Sequence, residues 1–208
     1  MIGQQKMNAI ITFIFYFLIF AGLHSLLATD YIKDKARMLS GKGFRFYRLM
    51  YTFISFFTFT PPFLVWLKYS ASTPLVYSLP GQLYPLIILI RSGALGIFVY
   101  ALFQTGILEF MGIRQEKTKK ILITGGAYGI VRHPLYTGGM LLLFTRMDMS
   151  LLDLTAVLLV SVYLVIGAFI EEKRLLLVFG EEYRKYQQRV SMFIPQLKGI
   201  RRLYHSSK

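Results

Sequence analysis

Residues 10–28 read IITFIFYFLIFAGLHSLLA, an apolar run bounded by Lys6 on one side and Asp30 on the other. A helix needs roughly 20 such residues to cross a hydrocarbon core about 30 Å thick, and this stretch supplies them. A cleaved signal peptide has a shorter apolar region, about 7–15 residues, before a small-residue cleavage site, so the run is expected to persist as a first span. Working outward, residues 47–67 form a second run, interrupted by Pro61-Pro62. Residues 83–104 form a third, which contains Arg91. The last apolar region, 135–170, is too long for one helix and is broken at 146–150, which predicts a hairpin of two helices, one of them short. The amphipathic stretch 175–190 then reads as an interfacial helix lying on the membrane. The expected fold is an all-α polytopic membrane protein with about five transmembrane helices. Composition agrees: 55% of the 208 residues are hydrophobic and 16% charged, with 18 Phe and 14 Tyr, which excludes a disordered chain and an ordinary soluble domain.

The net charge of +14 has a definite arrangement. Twenty of the 24 Lys and Arg residues fall in segments 30–48, 106–133 and 171–208, which the five-span reading places on one side. Short cytoplasmic loops collect positive charge, so that side is expected to be the cytoplasm, with the N-terminus outside and the C-terminus inside. A basic tail there would be drawn to anionic membrane lipids by about 1 kcal/mol per basic residue near the surface. Segregation by loop argues against nucleic acid as the partner. Zero Cys removes disulfides, thiolate metal sites and cysteine nucleophiles. With only His24, His133 and His205 available, no metal or haem site is expected. No phosphate-binding loop, dinucleotide fingerprint or nucleophile elbow is present.

Residues 125–139, GGAYGIVRHPLYTGG, are the densest in ligand-binding types. Glycines admit close backbone approach, and Pro134 suits the first turn of a helix whose positive end would face an anion. Arg132 offers a bidentate fork, and His133 and Tyr136, three apart, share a side of that turn. The competing reading is an interfacial anchor, because Arg and Tyr are common at membrane borders. Glu171-Glu172 closes the fifth apolar run, where a helix C-terminus would disfavour acids. A compensating cation is needed there: Arg132, Lys173, Arg174 or the positive group of a ligand. Adjacent helical positions differ by about 100°, so one acid is expected to face the bundle and the other water. His24, in the first span, is read as a satisfied polar side chain or a cavity-facing one.

Taken together, Gly126-x-Tyr128, Arg132-His133-Pro134-x-Tyr136-x-Gly138, Glu171-Glu172-x-x-Leu175 and Phe179-Gly180-x-x-Tyr183-x-x-Tyr186 resemble the isoprenylcysteine carboxyl methyltransferase and phospholipid methyltransferase superfamily. The likeness covers residues 105–196. The pieces around His24-Ser25, Arg45-x-Tyr47-Arg48 and Phe110–Gln115 look most like the methanethiol S-methyltransferase, or nurim-like, branch. The runs and charges give one membrane domain over 1–208, with three N-terminal spans in 1–104 and a basic tail in 197–208, and the resemblance makes 105–196 the cofactor-binding half. It implies S-adenosylmethionine as cofactor, bound by Gln115, Lys120, Ile121, Leu122, Ile123, Tyr128, His133, Pro134, Leu135, Tyr136 and Glu171. Arg132 and His133 would suit the methionine carboxylate and Glu171 the ammonium, which makes Arg132, His133 and Glu171 the implied catalytic group. Where isoprenylcysteine enzymes carry an Arg four residues before the acid pair, this chain has Gly167. A carboxylate acceptor thereby loses a charge partner worth some 2–5 kcal/mol, and a small thiol becomes the expected acceptor. Carboxyl methylation of isoprenylcysteine, methylation of a lipid amine and a non-catalytic nurim-like role are the alternatives.

Overall fold

The computed structural model describes residues 2–107 and 121–195. Helix α1 (Ile2–Ala28) carries the first span back through polar Gln4, Gln5 and Lys6. Thr29 then caps α2 (Asp30–Ser40), its hydroxyl accepting the Ile32 amide at 3.4 Å. This short amphipathic helix lies in a segment that the sequence reading treats only as a basic loop. Helix α3 (Tyr47–Tyr69) runs unbroken through Pro61-Pro62. Each proline forfeits one backbone bond, here to the carbonyls of Phe57 and Thr58, a loss that membrane helices tolerate. Strand β1 (Leu75–Ser78) follows, then α4 (Tyr84–Thr105), the short α5 (Ala127–Ile130) and α6 (Pro134–Phe144). Strand β2 (Asp148–Ser150) precedes α7 (Leu151–Phe179) and α8 (Glu181–Arg189).

Among the described residues, four helical stretches are long and apolar enough to cross a membrane. The fifth expected helix is α6, an apolar helix of 11 residues and so about 16 Å long. Two expectations need correction. Glu171-Glu172 do not end a helix: α7 continues to Phe179, so both acids lie in helix interior and no C-terminal dipole acts on them. The stretch 175–190 is not one interfacial helix either. Gly180, at φ +54, breaks it, so that 175–179 finish α7 and only Glu181–Arg189 form a separate helix.

The described residues divide into two compact units, one holding 2–78, 107 and 148–158, the other 79–106, 121–147 and 159–195. In the first, α1 packs on α3 through aromatic rings: Phe13 and Phe17 are buried, and Phe20 meets Phe59 edge-on at 5.1 Å. Here His24 is a satisfied histidine. Ser55 donates its hydroxyl to the Tyr51 carbonyl at 2.7 Å, so its oxygen accepts His24 Nδ1–H at 2.8 Å and leaves Nε2 to accept the Tyr51 hydroxyl. Strands β1 and β2 pair antiparallel, Leu75 opposite Ser150 and Ser78 opposite Asp148.

Entry into α7 is fixed by a reciprocal cap. The Ser150 hydroxyl accepts the Asp153 amide at 3.1 Å, and Asp153 Oδ2 accepts the Ser150 amide at 3.0 Å. The second carboxylate oxygen accepts Trp66 Nε1–H at 2.8 Å. In the second unit, α4 and α6 approach closely because Ala94 and Gly138 are small. A Cβ on Gly138 would lie 3.0 Å from the Ala94 carbonyl oxygen. Arg91, the cation within the third span, donates Nη1–H to the carbonyls of Leu142 and Thr145 at 3.3 and 2.6 Å, closing the C-terminus of α6.

Asp153→Ala should remove the cap and orphan the Trp66 indole, at a cost of about 1–3 kcal/mol. The expected readout is a lower Tm in detergent with an altered emission spectrum from Trp66, the single tryptophan. Asp153→Asn, which keeps an acceptor for the indole, should lose less.

Candidate active site

Segment 125–136 is held in place from two directions. Gly126 sits at φ +59, and a Cβ there would fall 2.3 Å from Gln104 Nε2, so only glycine fits. Gln104 bridges the turn, donating to the Gly125 carbonyl at 3.2 Å and accepting the Ala127 amide at 3.0 Å. From the other side, residues after α8 run beside it: Val131 and Ser191 form a parallel bridge, and the amides of Arg132 and His133 donate to the carbonyls of Ser191 and Met192 at 2.8 and 3.1 Å. Tyr186 donates its hydroxyl to the Tyr128 carbonyl at 2.6 Å, and Tyr183 packs against Tyr186 edge-on at 5.7 Å.

The charged centre lies where this segment meets α7. Glu172 is 7% exposed and fully engaged. Its Oε1 accepts Arg132 Nε–H at 2.7 Å and faces His133 Nε2 at 3.2 Å, while Oε2 accepts the Gln187 amide at 2.8 Å. Arg132 turns Nη1 to the carbonyls of Gln187 and Val190, at 3.2 and 2.5 Å. A buried carboxylate needs this much compensation, because each ion removed from water costs several kcal/mol.

Glu171, the neighbouring position on α7, is different. Its side chain is 48% exposed. The Tyr136 hydroxyl donates to its Oε2 at 3.1 Å, and His133 Nδ1 stands 3.6 Å from the same oxygen. The His133 imidazole therefore lies between the two acids, stacked on Tyr136 with ring centroids 5.4 Å apart and planes 4° from parallel. Burial, reinforced by the Glu171 charge, pushes the Tyr128 hydroxyl up to about 12. Burial raises Tyr183 and Tyr186 as well. All three phenols stay neutral, and thus able to donate, through the physiological range.

Of the residues singled out from the sequence, Tyr128, Arg132, His133, Pro134, Leu135, Tyr136 and Glu171 come together here. Pro134 is buried at the first turn of α6, with Leu135 and Tyr136 following it. Ile121, Leu122 and Ile123 lead into the turn without regular structure, Ile121 being 73% exposed. Gln115 and Lys120 lie outside the described residues. The split between the acids follows the expected 100° rotation, and Arg132 is the cation that Glu172 receives. Sequence reasoning missed Gln104 and Gln187, isolated amides with no motif around them. Among the described residues no group of three or more His, Cys, Asp or Glu is placed to hold a metal ion.

A family model described as NnrU protein matches residues 12–145. The chain belongs to the NnrU family. Three curated relatives are methanethiol S-methyltransferases. That of Pseudomonas deceptionensis is 32% identical over 111 residues, 50% of this chain and 42% of the relative. That of Crocosphaera subtropica is 30% identical over 107 residues, 48% of this chain and 42% of the relative. Methanethiol S-methyltransferase 1 of Bradyrhizobium diazoefficiens is 34% identical over 88 residues, 42% of this chain and 31% of the relative. The chain thus spans less than half the length of these relatives. No solved structure matches it. Family and relatives agree with the nurim-like, isoprenylcysteine-methyltransferase-type branch that the motifs of this NnrU family member resemble.

Removing one partner of the buried pair should cost far more than removing both. Arg132→Ala or Glu172→Ala should destabilise by about 3–5 kcal/mol, because each leaves an uncompensated buried charge. Arg132→Met with Glu172→Leu should recover much of that. Thermal melts of the three variants in one detergent make the comparison.

Proposed function

We propose that this NnrU family member is an S-adenosylmethionine-dependent membrane methyltransferase whose acceptor is a small thiol. The half-exposed Glu171 carboxylate, held by the Tyr136 hydroxyl beside buried Glu172 and Arg132, is the observation that carries the reading. Its donor set fits the cofactor. An ammonium group is a natural partner for Glu171, which is oriented by Tyr136 and His133 yet open on one side. The first-turn amides of Leu135 and Tyr136 have no carbonyl inside α6 to bond, and a helix start favours a carboxylate. Arg132 already spends Nε and Nη1 on Glu172 and two backbone carbonyls, so in this reading it acts by positioning His133 and the C-terminal segment.

When bound, S-adenosylmethionine supplies an electrophilic sulfonium methyl. The task left to the chain is alignment, for which effective molarity contributes about 7–11 kcal/mol. Tyr128, Tyr136 and His133 offer flat ring faces for that purpose. The thiol acceptor rests on the names of the relatives and on Gly167. Without a cation at Gly167, a carboxylate acceptor would meet no charge partner there. In this reading the single membrane domain takes the cofactor from the cytoplasm, with the N-terminus outside.

The test is calorimetric titration of the purified full chain with S-adenosylhomocysteine, NADPH serving as control. Saturable binding of the first alone is expected, weakened at least tenfold by Glu171→Gln and several-fold by Tyr136→Phe. Headspace detection of a methyl thioether from methanethiol would then identify the acceptor. Folded protein that ignores S-adenosylhomocysteine would overturn the proposal.

A further inference from the structure

Lys6 and Lys68 stand apart from the basic segments, and the first unit brings them to one place. A cavity of about 240 Å³ is lined by Gln5, Lys6, Lys68, Tyr69 and Ser72, where the start of α1 meets the end of α3. No acid lines it. Neither ammonium has a carboxylate partner among the described residues; Lys68 Nζ stands over the Tyr69 ring, 5.1 Å from its centroid. Lys68 at least complements the negative end of α3, whereas Lys6 adds positive charge to the already positive start of α1. The Gln5 amide and the Tyr69 hydroxyl add groups that can donate as well as accept. Ser72 turns its own proton away, to the Tyr69 carbonyl at 2.8 Å.

Two like charges converging on a cleft without a counter-charge repel each other, and an anion reverses the sign of that term. The surroundings select the anion. α1 and α3 are apolar on nearly all sides, with Phe15, Leu18, Phe56 and Phe57 each at least 59% exposed, so lipid surrounds them and phosphate groups lie at the level where such helices end. A tetrahedral phosphate can also accept from several of these donors at once, which a planar carboxylate does less well. We propose that this cleft binds a phosphate group, carried by a lipid headgroup or by a small soluble phosphate. The proposal does not rest on the methyltransferase reading.

The full chain in a non-ionic detergent is titrated calorimetrically with inorganic phosphate and, separately, with dihexanoylphosphatidic acid, and its Tm is followed in parallel. A saturable response is expected, weakened at least tenfold in the K6Q/K68Q double variant. The equally neutralised K33Q/K35Q variant should respond like the parent, and K68R should retain most of the response. Saturation by dihexanoylphosphatidic acid alone identifies a lipid headgroup site; saturation by both probes identifies a soluble phosphate site. Silence with both probes overturns the proposal. So does an equal response in K6Q/K68Q, or loss of response only in K33Q/K35Q. Because Lys68 is exposed, Lys6 is only half-buried and neither holds a carboxylate among the described residues, K6Q/K68Q is expected to melt like the parent without ligand, which separates lost binding from lost folding.

Discussion

A guanidinium and a carboxylate, 2.7 Å apart and almost out of reach of water, organise the second unit. Arg132 comes from the loop before α6, Glu172 from the middle of α7, and the carbonyls that share the guanidinium belong to α8 and its exit. Three stretches distant in sequence are thereby tied to one charge. Little of this needs to be net stabilisation, since buried pairs roughly balance Coulomb attraction against desolvation. What the pair supplies is connection: Arg132 holds Glu172 of α7 together with the Gln187 and Val190 carbonyls.

That constraint produces the asymmetry of the acids. With Glu172 turned inward and saturated, Glu171 is rotated about 100° away and keeps one side open. His133 is pinned between them by its backbone bond to Met192 and by stacking on Tyr136. The result is one carboxylate consumed by the fold and one, adjacent to it, available to a ligand.

The spans were legible in the sequence because hydropathy accumulates over some 20 residues and outweighs local exceptions, Pro61-Pro62 included. The motif 125–139 was legible because glycine, arginine, histidine and tyrosine are rarely crowded together without a ligand or an interface. The end of α7 was not. Glu171-Glu172 look like the polar edge of an apolar run, whereas Glu172 turns inward onto Arg132 and the helix continues to Phe179. The strands were hidden for a different reason. Leu75–Ser78 is four residues long, and its partner Asp148 lies 70 residues from Ser78, a separation that no local pattern can bridge. Gln104 and Gln187 escaped notice because a single amide has no spacing to betray it.

Arg91 also sets a length. Its guanidinium closes the carbonyls of Leu142 and Thr145, while Pro134 opens the same helix, so the number of residues between them is measured by a fixed ruler. One inserted residue would rotate everything beyond it by about 100° and carry the Thr145 carbonyl off the guanidinium. Over evolutionary time α6 is therefore expected to accept substitutions along its lipid-facing side but no insertions or deletions.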